Sequence, residues 1–244
     1  MNAQDLLKAG KLIEAISALT SQVKDNPADQ RSRTFLFELL CFAGDYDRAD
    51  KQLNILEQEG SKDSFLGTLL YKSALNAERT RQQMFETKSF PKPVVNGASA
   101  AVTGKLNGKQ FKSLSDADPR IGEKLEIFAA GDYMWISFAD IAALRLEQPR
   151  RLRDLLWAPA KLVPGPAFRS RDLGEIFVPL ISPLSWQHPE DEVRLGRVSE
   201  WCEDENGEIA PFGLKNLLMD GEEFPILEIR ELEIDPPPIA QAPA

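Results

Sequence analysis

Apolar positions in the first third of the chain recur at helical spacing. Leu6, Leu7, Ala9, Leu12, Ile13, Ile16, Leu19 and Val23 mark one face, and Gly10 interrupts it, so two short antiparallel helices are predicted over 3–24. "KDNPAD" (24–29) stops one helix and starts the next. A third is expected over about 29–43, a turn at Gly44-Asp45, a fourth over 46–58 and a fifth from Asp63 or Ser64 to about Phe85.

The pattern repeats. "LLKAGKLIEA" (6–15) and "LCFAGDYDRA" (40–49) are offset by 34 residues, pairing Leu6 with Leu40, Ala9 with Ala43, Gly10 with Gly44, and Ala15 with Ala49. Leu12 faces Tyr46 and Leu19 faces Leu53. A 34-residue helix–turn–helix period with small residues at the turn and in the second helix is the tetratricopeptide pattern. Each pair leaves an apolar face for a neighbour to bury. Two repeats and a closing helix are the lower limit, so this array should lean on the rest of the chain.

The texture changes after 88. "TKSFPKPVVNGASAAV" reads as a linker or crossover, and Asn107-Gly108 between short alternating runs signals a hairpin. A helix is expected after Pro119, with Ile121, Leu125 and Phe128 inward. "DYMWISF", "AALRLEQ", "LWAPAKLVP", "GEIFVPLI" and "FPILEIREL" are strand-like, with Pro159, Pro164 and Pro179 pointing to edges or bends. The expected fold class is α+β: a tetratricopeptide-like helical domain (1–88), a linker or crossover (89–102), a mixed, mainly antiparallel β-rich domain (103–235) and a disordered Pro-rich tail (236–244).

Composition narrows the function. The 244 residues are 43% hydrophobic and 27% charged, with net charge −9, ordinary for a globular protein and unsuited to nucleic acid, whose phosphates need a basic surface. Residues 1–88 are nearly balanced, with 12 basic against 13 acidic side chains, whereas 89–244 hold 17 against 25. No secretory leader or apolar run of membrane-spanning length stands out. Cys41 and Cys202 read as reduced, buried thiols, and the expected location is the cytoplasm.

Candidate chemistry is sparse. The one histidine, His188, lies in a charged loop and reads as a surface residue, so no multi-histidine metal site is available. Asp116 and Asp118 read as caps for the helix expected after Pro119. No glycine stretch has phosphate-loop or dinucleotide spacing. Neither a metal nor a cofactor is expected. Arg145, Arg150, Arg151 and Arg153 form a basic cluster, which either pairs with the acidic C-terminal segments or forms a docking patch. At least two of Trp135, Trp157, Trp186 and Trp201 should be core. The third helix is apolar nearly all round: Leu36, Leu39, Leu40 and Ala43 make one stripe, Phe35 and Phe42 with Glu38 between them lie on another face, and Phe37 and Cys41 widen the arc. Such a helix is either buried between neighbours or lines a groove for a partner helix.

Several blocks together resemble the TagJ/ImpE (SciE-type) family of bacterial type VI secretion clusters: "MNAQDLLKAGKLIEAI", "NPADQRSRTFLFELLCFAGDYDRADKQL", "DADPRIGEKLEIFAAGDYMWISF" and "LRDLLWAPAKLV", with "VRLGR" and "FPILEIREL" later. This chain departs from the family in having less helix before "DADPRIG". The resemblance implies a non-catalytic adaptor that binds a helix of the small sheath subunit TssB and is linked to sheath recycling by the ClpV unfoldase. Phe35, Glu38, Phe42 and Phe37 are then the expected partner contacts. The alternative is a small-molecule-binding or hydrolytic α+β domain with the helices as a docking arm.

Overall fold

The computed structural model describes residues 1–59, 62–91, 102–165, 173–203 and 207–236. The expected tail (236–244) lies outside them apart from its first residue, Pro236, as does most of the expected linker.

Five helices come first: α1 (Ala3–Lys8), α2 (Leu12–Asp25), α3 (Gln30–Phe42), α4 (Tyr46–Glu59) and α5 (Lys62–Glu86). Their bounds follow the apolar period. Asn2 caps α1, accepting from the Asp5 N–H at 2.9 Å, and Asp29 caps α3 through the N–H groups of Arg31 and Ser32. The 34-residue offset falls on equivalent places: Gly10 and Gly44 turn with φ of +75° and +70°, and Ala15, Leu19, Ala49 and Leu53 are all buried.

Thirteen strands follow among the described residues: β1 (Gly104–Leu106), β2 (Lys109–Phe111), β3 (Leu114–Asp116), β4 (Lys124–Ala129), β5 (Asp132–Ser137), β6 (Ile141–Leu146), β7 (Trp157–Pro164), β8 (Ile176–Pro179), β9 (Ser199–Glu203), β10 (Ile209–Gly213), β11 (Asn216–Met219), β12 (Glu222–Pro225) and β13 (Glu231–Ile234). A one-turn helix, α6 (Asp191–Arg194), lies between β8 and β9. Eight strands form an antiparallel sheet in the order β2-β1-β13-β6-β7-β8-β4-β5, flanked by the small sheets β12-β11-β3 and β10-β9. The β1–β2 hairpin turns at Asn107-Gly108, both at positive φ, as the sequence predicts.

Period-two alternation explains how the sheet separates two cores. Phe128, Tyr133, Trp135, Trp157 and Phe177 point to the helices and join one buried cluster with Leu36, Phe37, Leu40, Leu75 and Phe85. Their strand neighbours Leu125, Ile127, Ile136, Ala158, Ile176 and Val178 fill a second cluster on the other face. The helices therefore share a core with the sheet. The same dependence shows in their turns. A Cβ on Gly10 would sit 1.8 Å from Glu192, and one on Gly44 would sit 2.4 Å from Trp186. Arg197 donates to the carbonyls of Leu7 and Lys8 at the end of α1, and Asp191 accepts from the Ile13 N–H at the start of α2. The segment around α6 thus supplies both free ends of the first helical turn.

Three expectations are corrected. The stretch after Pro119 is a turn leading into β4, because Leu125 and Ile127 face one core while Glu126 and Phe128 face the other. Pro159 lies in β7, an interior strand. Its carbonyl accepts from Glu147, just past the end of β6, so its missing donor falls where the ladder ends. "FPILEIREL" is divided between β12 and β13 by a short 3-10 turn over 226–228.

Candidate functional site

The third helix packs on both sides. Phe37 is buried, with its ring 6.4 Å from both Tyr71 of α5 and Trp157 of β7. Phe42 is 2% exposed and belongs to the shared core. The Glu38 carboxylate is closed over by Arg153, at 2.8 Å. Burial raises its pKa and the Arg153 charge opposes the rise. These three residues are therefore core and junction groups, which corrects their expected place on an open face. Phe35 is half-buried beside a cavity of about 310 Å³ lined by Asn2, Ala3, Gln4, Leu19 and Gln22.

The four arginines do not form one patch. Arg145 pairs with Glu231 across the β6–β13 ladder at 2.7 Å, the internal pairing considered for the acidic C-terminal segment. Arg153 bridges to Glu38 and stacks over the Tyr71 ring at 4.3 Å. Arg150 and Arg151 are exposed, and their backbone N–H groups donate to Asp154.

Sequence patterns missed a buried polar network, because its members are distant in the chain. Arg81 of α5 grips Glu126 of β4 with two hydrogen bonds of 2.7 and 2.9 Å and also pairs with Glu78 at 3.1 Å. Trp157 donates to Glu78 at 2.8 Å, and Tyr133 donates to Glu126 at 2.6 Å. Lys215 reaches Glu126 and lies 2.6 Å from Asp116 as an ion pair without hydrogen-bond alignment. The outcome is two opposed carboxyls. Glu126 competes against its own burial, and the Arg81 and Lys215 cations hold its pKa below the usual carboxylate range. Burial, aided by the nearby Glu126 charge and opposed by Lys215 and the Asp118 N–H, pushes Asp116 up to about 6. Asp116 and Asp118 cap no helix, another correction: Asp118 pairs with Arg120 at 2.6 Å within the turn. The cavity beside Glu78 and Arg81 is about 20 Å³, room for about one water.

His188 is also corrected. It is 9% exposed and packs 5.9 Å from the Phe212 ring, since β10 covers its loop. His188, Glu200 and Cys202 bring one donor atom each within 4.8 Å. The Glu190 N–H donates to Nδ1 at 3.2 Å, which leaves the proton of the neutral ring on Nε2, facing Glu200 at 3.3 Å. A metal would need a lone pair at that Nε2, so the arrangement fits a histidine–carboxylate hydrogen bond rather than a metal centre.

α5 carries a row of open apolar side chains. Phe65, Leu66, Leu69 and Leu70 are 43%, 69%, 48% and 38% exposed. Beside them, a cavity of about 280 Å³ opens between α3, α4 and α5, lined by Phe37, Leu53, Leu56, Gly67, Tyr71 and Arg151 among others.

Residues 108–233, just over half of the chain, match the family of ImpE proteins. The chain belongs to the ImpE family. It is 30% identical, over 97% of its length and 92% of the relative's, to a Pseudomonas aeruginosa protein named type VI secretion system accessory component TagJ. The crystal structure of protein VPA1032 from Vibrio parahaemolyticus shares the ImpE-family chain's fold with a TM-score of 0.84, at 21% identity, covering 97% of this chain and 98% of that one. The family match begins at the β1–β2 turn and ends within β13. Among the described residues, no helix of this ImpE-family chain is long and apolar enough to cross a membrane.

Proposed function

We propose that the chain is a non-catalytic accessory adaptor of a bacterial type VI secretion system. The observation that carries this reading is its 30% identity, over 97% of the chain, to the TagJ accessory component. In this role the helical region (1–88), read as two tetratricopeptide-like repeats closed by α5, holds a helix of the small sheath subunit TssB in the cytoplasm. It assists sheath assembly and recycling and brings the sheath to the ClpV unfoldase. The enclosed carboxyls support the non-catalytic part. Glu126 is spent on Arg81, Lys215 and Tyr133, and Glu78 on Arg81 and Trp157 beside a space of about 20 Å³, too small for a substrate. Helix-in-groove binding uses apolar anchors at i, i+3/i+4 and i+7, and the exposed apolar row of α5 offers a matching surface.

A pull-down with the cognate sheath subunit, with and without its first helix, tests the reading. Capture that depends on that helix is expected. A sheath subunit that ignores the purified full-length chain would overturn it.

A further inference from the structure

α5 carries a glycine that its own fold does not require. Gly67 lies inside the helix with negative φ, and a Cβ built there meets nothing within 4 Å. Mid-helix glycine is costly relative to alanine, so the position gains nothing from packing within this chain. It lines the 280 Å³ cavity, whose apolar wall is Leu53 and Leu56 of α4, Tyr71 of α5 and Phe37, and whose polar wall includes Thr34 and Arg153. On the adjoining face, Leu66 and Leu70 are one turn apart and open to solvent. The rim carries Arg151, exposed and in no ion pair among the described residues, whereas the charge of Arg153 is matched by Glu38.

We propose that this groove is the seat of the partner helix. An amphipathic helix lies along α5 against Leu66 and Leu70, approaches the backbone closely at Gly67, inserts one aliphatic anchor between Leu53, Leu56 and Tyr71, and sets an acidic side chain against Arg151. Area distinguishes this occupant from a second copy of the chain. One partly exposed phenylalanine and three partly exposed leucines on a single helix make a smaller apolar face than the ~800 Å² per partner that a stable dimer covers. That is the scale of one helix face. Arg151, in no ion pair among the described residues, adds a charge preference that a purely apolar self-contact would not use. This inference rests on the adaptor reading and names the surface that carries it.

The test uses the full-length chain and a fluorescently labelled peptide of the cognate sheath subunit's first helix, followed by anisotropy. Gly67→Leu, whose Cβ meets nothing within 4 Å and whose side chain adds bulk to the groove, is expected to weaken binding at least ten-fold while the melting temperature holds or rises. Arg151→Glu is expected to weaken it several-fold and flatten its salt dependence. The double variant Leu66→Gln/Leu70→Gln alters only exposed positions and should also weaken binding, should Gly67→Leu disturb the helix. Wild-type binding that all three variants retain within two-fold overturns the seat and leaves the adaptor reading standing. Absence of any wild-type binding overturns both. A wild-type dimer in sedimentation that Gly67→Leu abolishes would assign the groove to a second copy and overturn the proposed occupant.

Discussion

The two halves of α5 invert the usual rule for a helix. Its C-terminal half buries charge and amide: Glu78, Arg81 and Gln82 are 6%, 1% and 6% exposed. Its N-terminal half leaves Phe65, Leu66, Leu69 and Leu70 open. In the C-terminal half the partners are inside the molecule, because β4, β7 and the loop after β8 bring Glu126, Trp157 and the Leu184 N–H to the helix. A buried charge is tolerable only when paired and hydrogen-bonded, and here every charge is. In the N-terminal half the sheet no longer reaches the outer face. Its polar half fixes the helices on the sheet, and its apolar half carries exposed side chains.

The severest way to break that contrast is Arg81→Ala. It leaves Glu78 and Glu126 buried without their shared cation, a loss that typically costs about 3–5 kcal/mol. Chemical denaturation should show it, with Arg81→Met costing less because Met restores packing. Phe42→Ala, in the core that α3 shares with the sheet, should cost roughly 3 kcal/mol or more. The partner affinity of the folded fraction should be unchanged. A large affinity loss with unchanged stability would return Phe42 to the partner surface.

Acidity sharpens the same comparison. Asp116 titrates near 6 in the folded chain, raised from 3.8 by burial. The folded state therefore holds more protons than the unfolded one between those values, and stability should fall as pH rises from about 4 to 6. Glu126 has the opposite sign: its lowered pKa contributes stability above about 4.5 that is lost on further acidification. Together they place a stability maximum near pH 4. Asp116→Asn should flatten the decline between pH 4 and 6, an effect bounded by about 3 kcal/mol and reduced by the lost Lys215 partner. Melting temperatures across pH 4–8 for both proteins check it. A parallel pair of curves would remove Asp116 as the cause.

These contrasts also show what sequence reading could reach. The five helices were legible because their cores repeat with a helical period and their turns need glycine at positive φ, as Gly10 and Gly44 show. The hairpin at Asn107-Gly108 was legible for the same local reason. β4 was not: Leu125 and Phe128 are three apart and read as one helical face, yet they lie on opposite faces of a strand buried on both sides. Such strands lose the alternation that marks them. The functional residues divide in the same way. Phe37, Glu38 and Phe42 gave a strong apolar signal because they serve two neighbours at once, α5 and the sheet, and the signal could not say whether the neighbour was internal. In the network of Arg81, Glu126, Lys215 and Asp116, Lys215 lies 99 residues from Asp116 and 134 from Arg81, with no spacing to betray it. The "FLGTLLY" row gives a helical apolar signal, and only tertiary packing shows that Phe65, Leu66, Leu69 and Leu70 are open.

The smallest predicted effect concerns Gly67 and bears most directly on why the N-terminal half of α5 is built as it is. Glycine in a helix interior is less favourable than alanine by about 0.8–1.0 kcal/mol, partly because the unfolded chain is freer. A Cβ at Gly67 meets no atom within 4 Å, so Gly67→Ala has no steric cost to set against that gain. The variant should be more stable by about 0.5–1 kcal/mol, a rise of a few degrees at most for a chain of this size. If α5 needed glycine for its own path, the same change would be neutral or destabilising, and urea titrations of the two proteins separate these outcomes. The single methyl adds far less bulk than leucine, so partner affinity should fall only slightly, which orders the three residues at this position as Gly, Ala, Leu in binding. Stability should not follow that order downward. A position where added bulk strengthens the fold and weakens the contact is one kept bare for a partner, and an affinity that rose with stability from Gly to Ala would show that the helix, and not the groove, sets the limit.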